Sequence, residues 1–591
     1  MTRREQILRG VSVSPGFASG RAFVYQAWLP ELVEKVVEPG RVDPEVKRFK
    51  AAVEAARAEL TALRERVTKE IGRDFADFID VQLALIADAD VVAQTERFIR
   101  ERFRNAEFAY SEVLRGIARQ VSETRPRLFR ERVPDLHDAG ARVLQQLLGE
   151  EPASLHAMPE GAVLVARDLP PSEAALLNPR RVVGLVLEGG GRTSHTAIMA
   201  RAKEIPAVVG VDGVTKRAVD GQPMLVDGYR GLVVVRPGAK RVRAYEDDVA
   251  RYKRHRRSLS RLADEDPVTA DGKVLDLSAN IEFLAEARTA LAGGARGIGL
   301  FRTEYSYLAR LRPPTEEEQY ETLAEVARLF DPMPVIVRTF DLGGDKVVPG
   351  YGEANPFLGW RALRLCFDNP ALFRGQLRAI LRASAHGNVK IMFPMVSALE
   401  ELRRAKLMLE EEKAELARKQ AQFDENIEVG VMVETPSAAI MADRLARECS
   451  FLSIGSNDLT QYTLAVDRGN ERVAGLFDPF HPAVLELIRQ TIDAAHERGI
   501  WVGLCGEFGA DPLGILVLLG LGIDEISVAP AALPEVKNII RSVDTDSARE
   551  IMNAARGLNT PLEIRRLLRR EMHRRFPKLE EFVFELERGG R

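Results

Sequence analysis

The chain has 591 residues, with 84 Lys and Arg against 87 Asp and Glu and a formal net charge of −3, so no global field draws it to nucleic acid or an anionic membrane and any anion is captured locally. Its length suits about two to four domains, its N-terminal Met-Thr-Arg-Arg-Glu-Gln lacks the apolar core of a secretion signal, and its most apolar run, Ile515 to Ile523, is too short to insert across a bilayer. Cys366, Cys449 and Cys505 are scattered without metal-like spacing, which points to a reduced, cytoplasmic protein.

Residues 10–25 alternate apolar and small turn residues and predict a short β piece. From Asp43-Pro44, an N-cap followed by proline, the texture becomes helical. Val46, Phe49, Val53, Ala56, Leu60, Leu63 and Val67 alternate spacings of three and four, the seam of a long coiled-coil-like helix. Further helices are predicted over 75–103, 107–123 and 135–148, so residues 26–150 read as an inserted helical bundle. Strand-like runs return at 162–166, 182–187, 207–211, 224–226 and 232–235, which makes residues 1–25 and 151–239 one interrupted α/β domain.

Within that domain the apolar run 182–187 leads into Gly189-Gly190-Gly191-Arg192-Thr193-Ser194-His195 and a helix-compatible Thr196 to Arg201. His195 therefore stands at a helix start, where unpaired N–H groups and the helix dipole favour an anion. A neutral imidazole is a competent nucleophile, so His195 is the candidate acceptor of a phosphoryl group.

Residues 240–266 are dense in charge with a thin apolar stripe, a helical linker of roughly 35–40 Å. Eight strand-like runs follow over 267–591: Val274–Ile281, Gly297–Glu304, Val335–Asp341, Val389–Met395, Val429–Glu434, Phe451–Asp458, Trp501–Glu507 and Glu525–Pro530. Their alternation with helical stretches predicts a C-terminal (β/α)8 barrel within a multidomain α/β protein. Arg302 with Glu304, Arg338 with Asp341, Glu434, Asn457 with Asp458, and Cys505 with Glu507 all fall at the C-terminal ends of their runs, the rim where barrel chemistry collects. Arg302, Arg338 and Arg468 suit phosphate and carboxylate oxygens, and Glu434 with Asp458 suits Mg²⁺, which keeps positions for water and a phosphorylated ligand. A Cys505 thiol at this rim has a proton to give to a carbanion-like leaving group.

Gly190-Gly191-Arg192-Thr193-Ser194-His195-Thr196, Gly299-Leu300-Phe301-Arg302-Thr303-Glu304, Asn355-Pro356-Phe357-Leu358-Gly359-Trp360-Arg361 and Ile454-Gly455-Ser456-Asn457-Asp458-Leu459-Thr460-Gln461-Tyr462 closely resemble the Enzyme I family of the bacterial sugar phosphotransferase system. The resemblance covers essentially the whole chain. It implies that phosphoenolpyruvate phosphorylates His195 at Nε2, that the phosphoryl group passes to a histidine of the carrier protein HPr, and that pyruvate is released. It further implies that Arg302, Arg338, Asn457, Asp458 and Arg468 bind phosphoenolpyruvate, that Glu434 and Asp458 hold Mg²⁺, and that Cys505 protonates the enolate. The inserted helices would dock HPr, the barrel would carry a homodimer contact, and the His195 domain would swivel between two partners. Two departures stand out: Pro170 replaces a threonine that relatives place near the active histidine, and Phe78 to Leu83 lacks a histidine that relatives carry near the HPr surface. A dikinase-type reading would need a nucleotide-binding domain and a Gly-x-x-x-x-Gly-Lys loop, and a relay without turnover would be expected to have lost Cys505, Arg302 or a metal carboxylate.

Overall fold

The computed structural model describes the chain apart from residues 1–4, 26–31, 71–72, 125–132, 150–154, 156–157, 171–172, 175, 191–194, 204, 309–312, 345–352, 354, 471, 578 and 580–591. Its described residues form two compact units, divided between Lys253 and Arg254.

In the first unit, β1 (Gln6–Arg9), β2 (Val11–Ser14) and β3 (Phe17–Tyr25) are followed, among the described residues, by five α-helices. These are α1 (Val42–Glu70), α2 (Arg73–Ile86), α3 (Ala89–Arg102), α4 (Ala106–Thr124) and α5 (Val133–Leu148). The seam of α1 from Val46 to Val67 is buried throughout, as its spacing requires. The helix expected over 75–103 is two helices. Asp88 ends the first by capping the second, its carboxylate accepting from the N–H groups of Asp90 and Val91, which no helical turn satisfies.

The chain then returns to the sheet through β4 (Ala162–Ala166), β5 (Val182–Leu187), the helix α6 (His195–Ala202), β6 (Ala207–Val209), β7 (Pro223–Asp227) and β8 (Leu232–Val235). One eight-stranded sheet results, in the order β1-β8-β7-β3-β4-β5-β6-β2. β3 runs parallel to β4 with Tyr25 opposite Ala166, so the helical insertion leaves and rejoins the sheet at adjacent strands. The Val and Leu side chains of β4 and β5 are buried, Val183 only partly, which explains their apolar sequence.

Helix α7 (Ala239–Ser260) follows, 22 residues and therefore roughly 33 Å long. It stops at Ser260 rather than 266, where the chain passes into turns. Its first half is fastened to the sheet: the Tyr245 hydroxyl donates to the Val226 carbonyl, and its ring stands edge-on to Phe17 at 5.6 Å.

The second unit is a closed barrel of eight parallel strands. They are β9 (Asp276–Ile281), β10 (Ile298–Arg302), β11 (Val335–Arg338), β12 (Val389–Phe393), β13 (Val429–Val433), β14 (Phe451–Gly455), β15 (Trp501–Cys505) and β16 (Glu525–Val528), the last pairing back onto β9. Several strands end earlier than their apolar runs suggest. β14 stops at Gly455 because the helix α8 (Ser456–Leu464) begins at the next residue, so Asn457 and Asp458 lie in a first helical turn. Among the described residues no helix is long and apolar enough to cross a membrane.

Leu300, Ile336, Met392, Met432, Phe451 and Cys505 fill one part of the barrel interior, with Trp501 packed against them. The Phe451 and Trp501 rings stack with centroids 4.6 Å apart. Gly430 makes this possible, since a Cβ there would lie 2.2 Å from Phe451 ring carbons. Gly430→Ala is therefore expected to destabilise the barrel by about 1–3 kcal/mol, the cost of overpacking. Calorimetry checks this, and Phe451→Leu in the same chain should recover part of the loss because the clash is with the ring.

Candidate active site

Around the C-terminal mouth of the barrel, buried charges alternate in sign. Arg338, the last residue of β11, donates through Nη2 to Glu304 Oε1 at 2.8 Å and lies 3.3 Å through Nη1 from Asp341 Oδ2. The Asp341 N–H donates to the same Glu304 oxygen at 2.8 Å. Arg361 then grips Asp341 with both arms of its fork, Nε to Oδ1 at 2.7 Å and Nη2 to Oδ2 at 2.9 Å. Its Nη1 also reaches Asp458 Oδ1 at 3.2 Å and the Tyr462 hydroxyl at 3.1 Å. That hydroxyl donates to the Phe357 carbonyl at 2.5 Å, which secures the loop carrying Arg361.

Glu434 follows β13 and is fully enclosed, its Oε1 accepting the Met395 N–H at 2.6 Å. Burial raises its pKa above the usual carboxylate range, and the charges of Asp458 and Asp341 add to the rise against Arg361 and Arg338. Asp458 goes the other way. Burial opposes its charge, but Arg361 and Arg468 outweigh that and hold it below the usual range. A Cβ on Gly455 would lie 3.0 Å from Glu434 Oε2, so that oxygen occupies the space a larger residue would take.

The backbone is strained here. Ala362, next to Arg361, has φ +53°, and Met395, the donor to Glu434, has φ +52°. Non-glycine residues hold such angles only where surrounding contacts fix them, and functional sites are where they gather.

Arg302, at the end of β10, is half-buried and donates to Glu282 Oε1 at 2.8 Å. Arg302 and Arg338 lie close enough to repel one another, so the rim brings two guanidinium groups together. Arg468 is exposed, and its main-chain N–H donates to Gln461 Oε1 at 3.1 Å. Asn457 is partly exposed beside buried Asp458. Arg338 Nε and Ser456 Oγ are buried at this mouth without a protein hydrogen-bond partner. Among the described residues no group of three or more His, Cys, Asp and Glu side chains forms a metal cage of its own.

Cys505 ends β15 and is buried among apolar side chains. Its thiol receives a hydrogen bond from the Ser453 hydroxyl at 3.4 Å. Burial pushes its pKa up to about 11, against Ser453 and the Arg338 and Arg302 charges, so it holds its proton at neutral pH.

In the first unit His195 is the first residue of α6. Its side chain and the preceding Gly191 to Ser194 lie outside the described residues. Thr196 beside it is buried and donates to the Leu169 carbonyl at 3.1 Å, which ties the start of α6 to the loop that carries Pro170.

Glu304 and Asp341 fall on the rim by their place in the sequence, with no role of their own there, and Arg361 stands on no strand end, so rim position does not single it out. Its one signal was the motif Asn355 to Arg361.

Residues 256–545 match the family model described as PEP-utilising enzyme, PEP-binding domain, residues 158–231 its mobile domain, and residues 9–132 its N-terminal part. A protein named phosphoenolpyruvate-protein phosphotransferase from Bacillus sp. (strain S) is 42% identical over 564 residues, 95% of this chain and 97% of that protein. One of the same name from Geobacillus stearothermophilus is also 42% identical over 564 residues, 95% of this chain and 97% of that protein. Its namesake from Haemophilus influenzae is 40% identical over 565 residues, 95% of this chain and 98% of that protein.

Arg361→Ala is expected to remove the buried partner that Asp341 and Asp458 share, leaving only Arg338 to the one and Arg468 to the other, at a cost of about 3–5 kcal/mol. Calorimetric unfolding of the barrel measures it. Arg361→Lys should recover only part, because an ammonium lacks the planar fork.

Proposed function

The chain belongs to the PEP-utilising enzyme family, and from that premise we propose that it is a phosphoenolpyruvate–protein phosphotransferase, catalysing the first step of sugar uptake by the phosphotransferase system. The observation that carries this reading is identity of about 40% along almost the whole chain to proteins of that name. The alternating charges of the barrel mouth, set around a protonated thiol, supply the chemistry it needs.

Phosphoenolpyruvate carries a phosphate and a carboxylate. Arg302, Arg338 and Arg468 bind these groups with Asn457 and Asp458, and their fixed charges stabilise the transferring phosphoryl group without reorganisation. The P–O bond to the enol breaks as a P–N bond to His195 Nε2 forms. The enolate left behind takes the Cys505 proton at carbon and leaves as pyruvate. The phosphoryl group then passes from His195 to a histidine of HPr, docked on the inserted helices. Visiting two partners requires the domain built from residues 1–25 and 151–239 to swivel, with 240–266 as linker, 26–150 as HPr-binding insertion and 267–591 as barrel and dimer contact.

Glu434 and Asp458 fit a divalent cation. A cation beside Glu434 would offset the burial and like charge that now disfavour its ionised form, and Mg²⁺ takes few protein oxygens while keeping positions for water and phosphate. When bound it would neutralise charge on the phosphoryl oxygens. A cytoplasmic location agrees with the three free cysteines.

Incubation with labelled phosphoenolpyruvate and Mg²⁺ should place acid-labile label on the wild type and none on His195→Ala, and the label should leave when HPr is added. Label persisting in His195→Ala would reject the assignment. Cys505→Ala should slow pyruvate formation by about 10²-fold or more while phosphoenolpyruvate affinity changes little.

A further inference from the structure

Inside the barrel, below the mouth, lies a carboxyl group that this chemistry does not use. Glu525, the first residue of β16, is buried at 3% exposure. In register it faces Gly503 of β15 on one side and Asp276 of β9 on the other. Gly503 in turn faces Ser453 of β14. A Cβ on Gly503 would lie 2.3 Å from Glu525 Oε2, and one on Gly299 would lie 2.7 Å from Oε1. The carboxyl group therefore fills the side-chain slots of Gly503 and Gly299, beside the Ser278 hydroxyl of β9. Its Oε2 has no hydrogen-bond partner in the protein.

Two residues beyond Gly503, on the same face of the same strand, stands Cys505. Ser453, on the far side of the Gly503 slot, donates to the Cys505 sulfur at 3.4 Å. Carboxyl, hydroxyl and thiol thus line one inner path of the barrel, from Glu525 past the Gly503 slot to Ser453 and Cys505.

We propose that Glu525 reloads Cys505 with a proton after each turnover, through the Ser453 hydroxyl. The inference rests on the reading of Cys505 as the acid of the reaction. Giving its proton to the enolate leaves a thiolate in an apolar layer, at 4% exposure and costly to keep charged. The Ser453 O–H proton moves to sulfur, the Glu525 carboxyl turns across the Gly503 slot and gives its O–H proton to the Ser453 oxygen, and the carboxylate recovers a proton from water at the foot of the barrel, where Asp276 is exposed. No other reactant is consumed. The direction is favourable, because burial raises Glu525 to about 7 while the thiol stands at about 11. The charged groups facing the path are Asp276 from β9 and Lys390 from β12 at its foot, and Arg302, Arg338 and Glu434 at its head.

The full-length enzyme with Mg²⁺ and phosphoenolpyruvate separates reloading from chemistry. In Glu525→Gln the first turnover of pyruvate, measured by rapid quench, should stay within about twofold of wild type, while steady-state turnover with saturating HPr falls about tenfold or more. Only the acid form delivers a proton, so in wild type the ratio of steady-state to first-turnover rate should fall as pH rises through about 7, and in Glu525→Gln it should be flat there. Equal losses in both phases, or no loss in either, overturn the proposal. Should Glu525→Gln fail to fold, Glu525→Met, of similar length and with no proton to give, is judged by the same split. Cys505→Ala tells the two failures apart: if its first turnover is unimpaired, the acid assignment falls and the relay with it, whereas an impaired first turnover beside an unaffected Glu525→Gln rejects the relay alone.

Discussion

The site hangs on one side chain, the Arg361 fork that holds Asp341 bidentately and reaches Asp458 on another element. Because all three groups are buried, each needs the others. Taking a charge out of water is tolerable only when an opposite charge meets it with good geometry. Arg338 extends the same logic to Glu304, so the loops after β10 and β11 and the first turn of α8 are fixed to one centre. The left-handed backbone at Ala362 and Met395 is held there by this mesh.

That mesh sets two nearby carboxylates in opposite states. Asp458 faces Arg361 and Arg468 and stays ionised, while Glu434 has burial and like charge against it and resists ionisation. Environments that drive paired groups apart are the mark of a site built for charge. The thiol follows a third rule, since it lies in an apolar layer and is kept protonated by burial. The mouth thereby sets ionised groups in one layer and a buried, protonated thiol in an apolar layer beside it.

Much of this was legible in the sequence because it follows from periodicity. Eight apolar runs closed as eight barrel strands, and the split sheet was visible in strand-like runs either side of the helical insertion. What periodicity does not encode is where a strand yields to a helix. The run Phe451 to Asp458 reads as one element, yet its last three residues already belong to α8. Likewise 75–103 carried a helical pattern across Asp88, because a cap interrupts hydrogen bonding without interrupting the apolar stripe. Arg361 escaped for a related reason. Its importance comes from partners 20 and 97 residues away, a tertiary coincidence that local spacing does not express.

The glycines inside the barrel carry a further lesson, since glycine in a strand is ordinarily a weakness. Gly430 admits the Phe451 ring, Gly455 admits the Glu434 carboxyl, and Gly503 admits the Glu525 carboxyl. In each case the neighbouring strand fills the space with the group that matters. A closed eight-stranded barrel has an interior only wide enough for side chains, so one placed to do chemistry there must displace another. Glycine on the next strand is the least disruptive displacement, because it alters neither register nor closure. The positions that look weakest as strand formers are thus where the barrel makes room for its acids, and a functional group within such a barrel is to be sought beside its glycines.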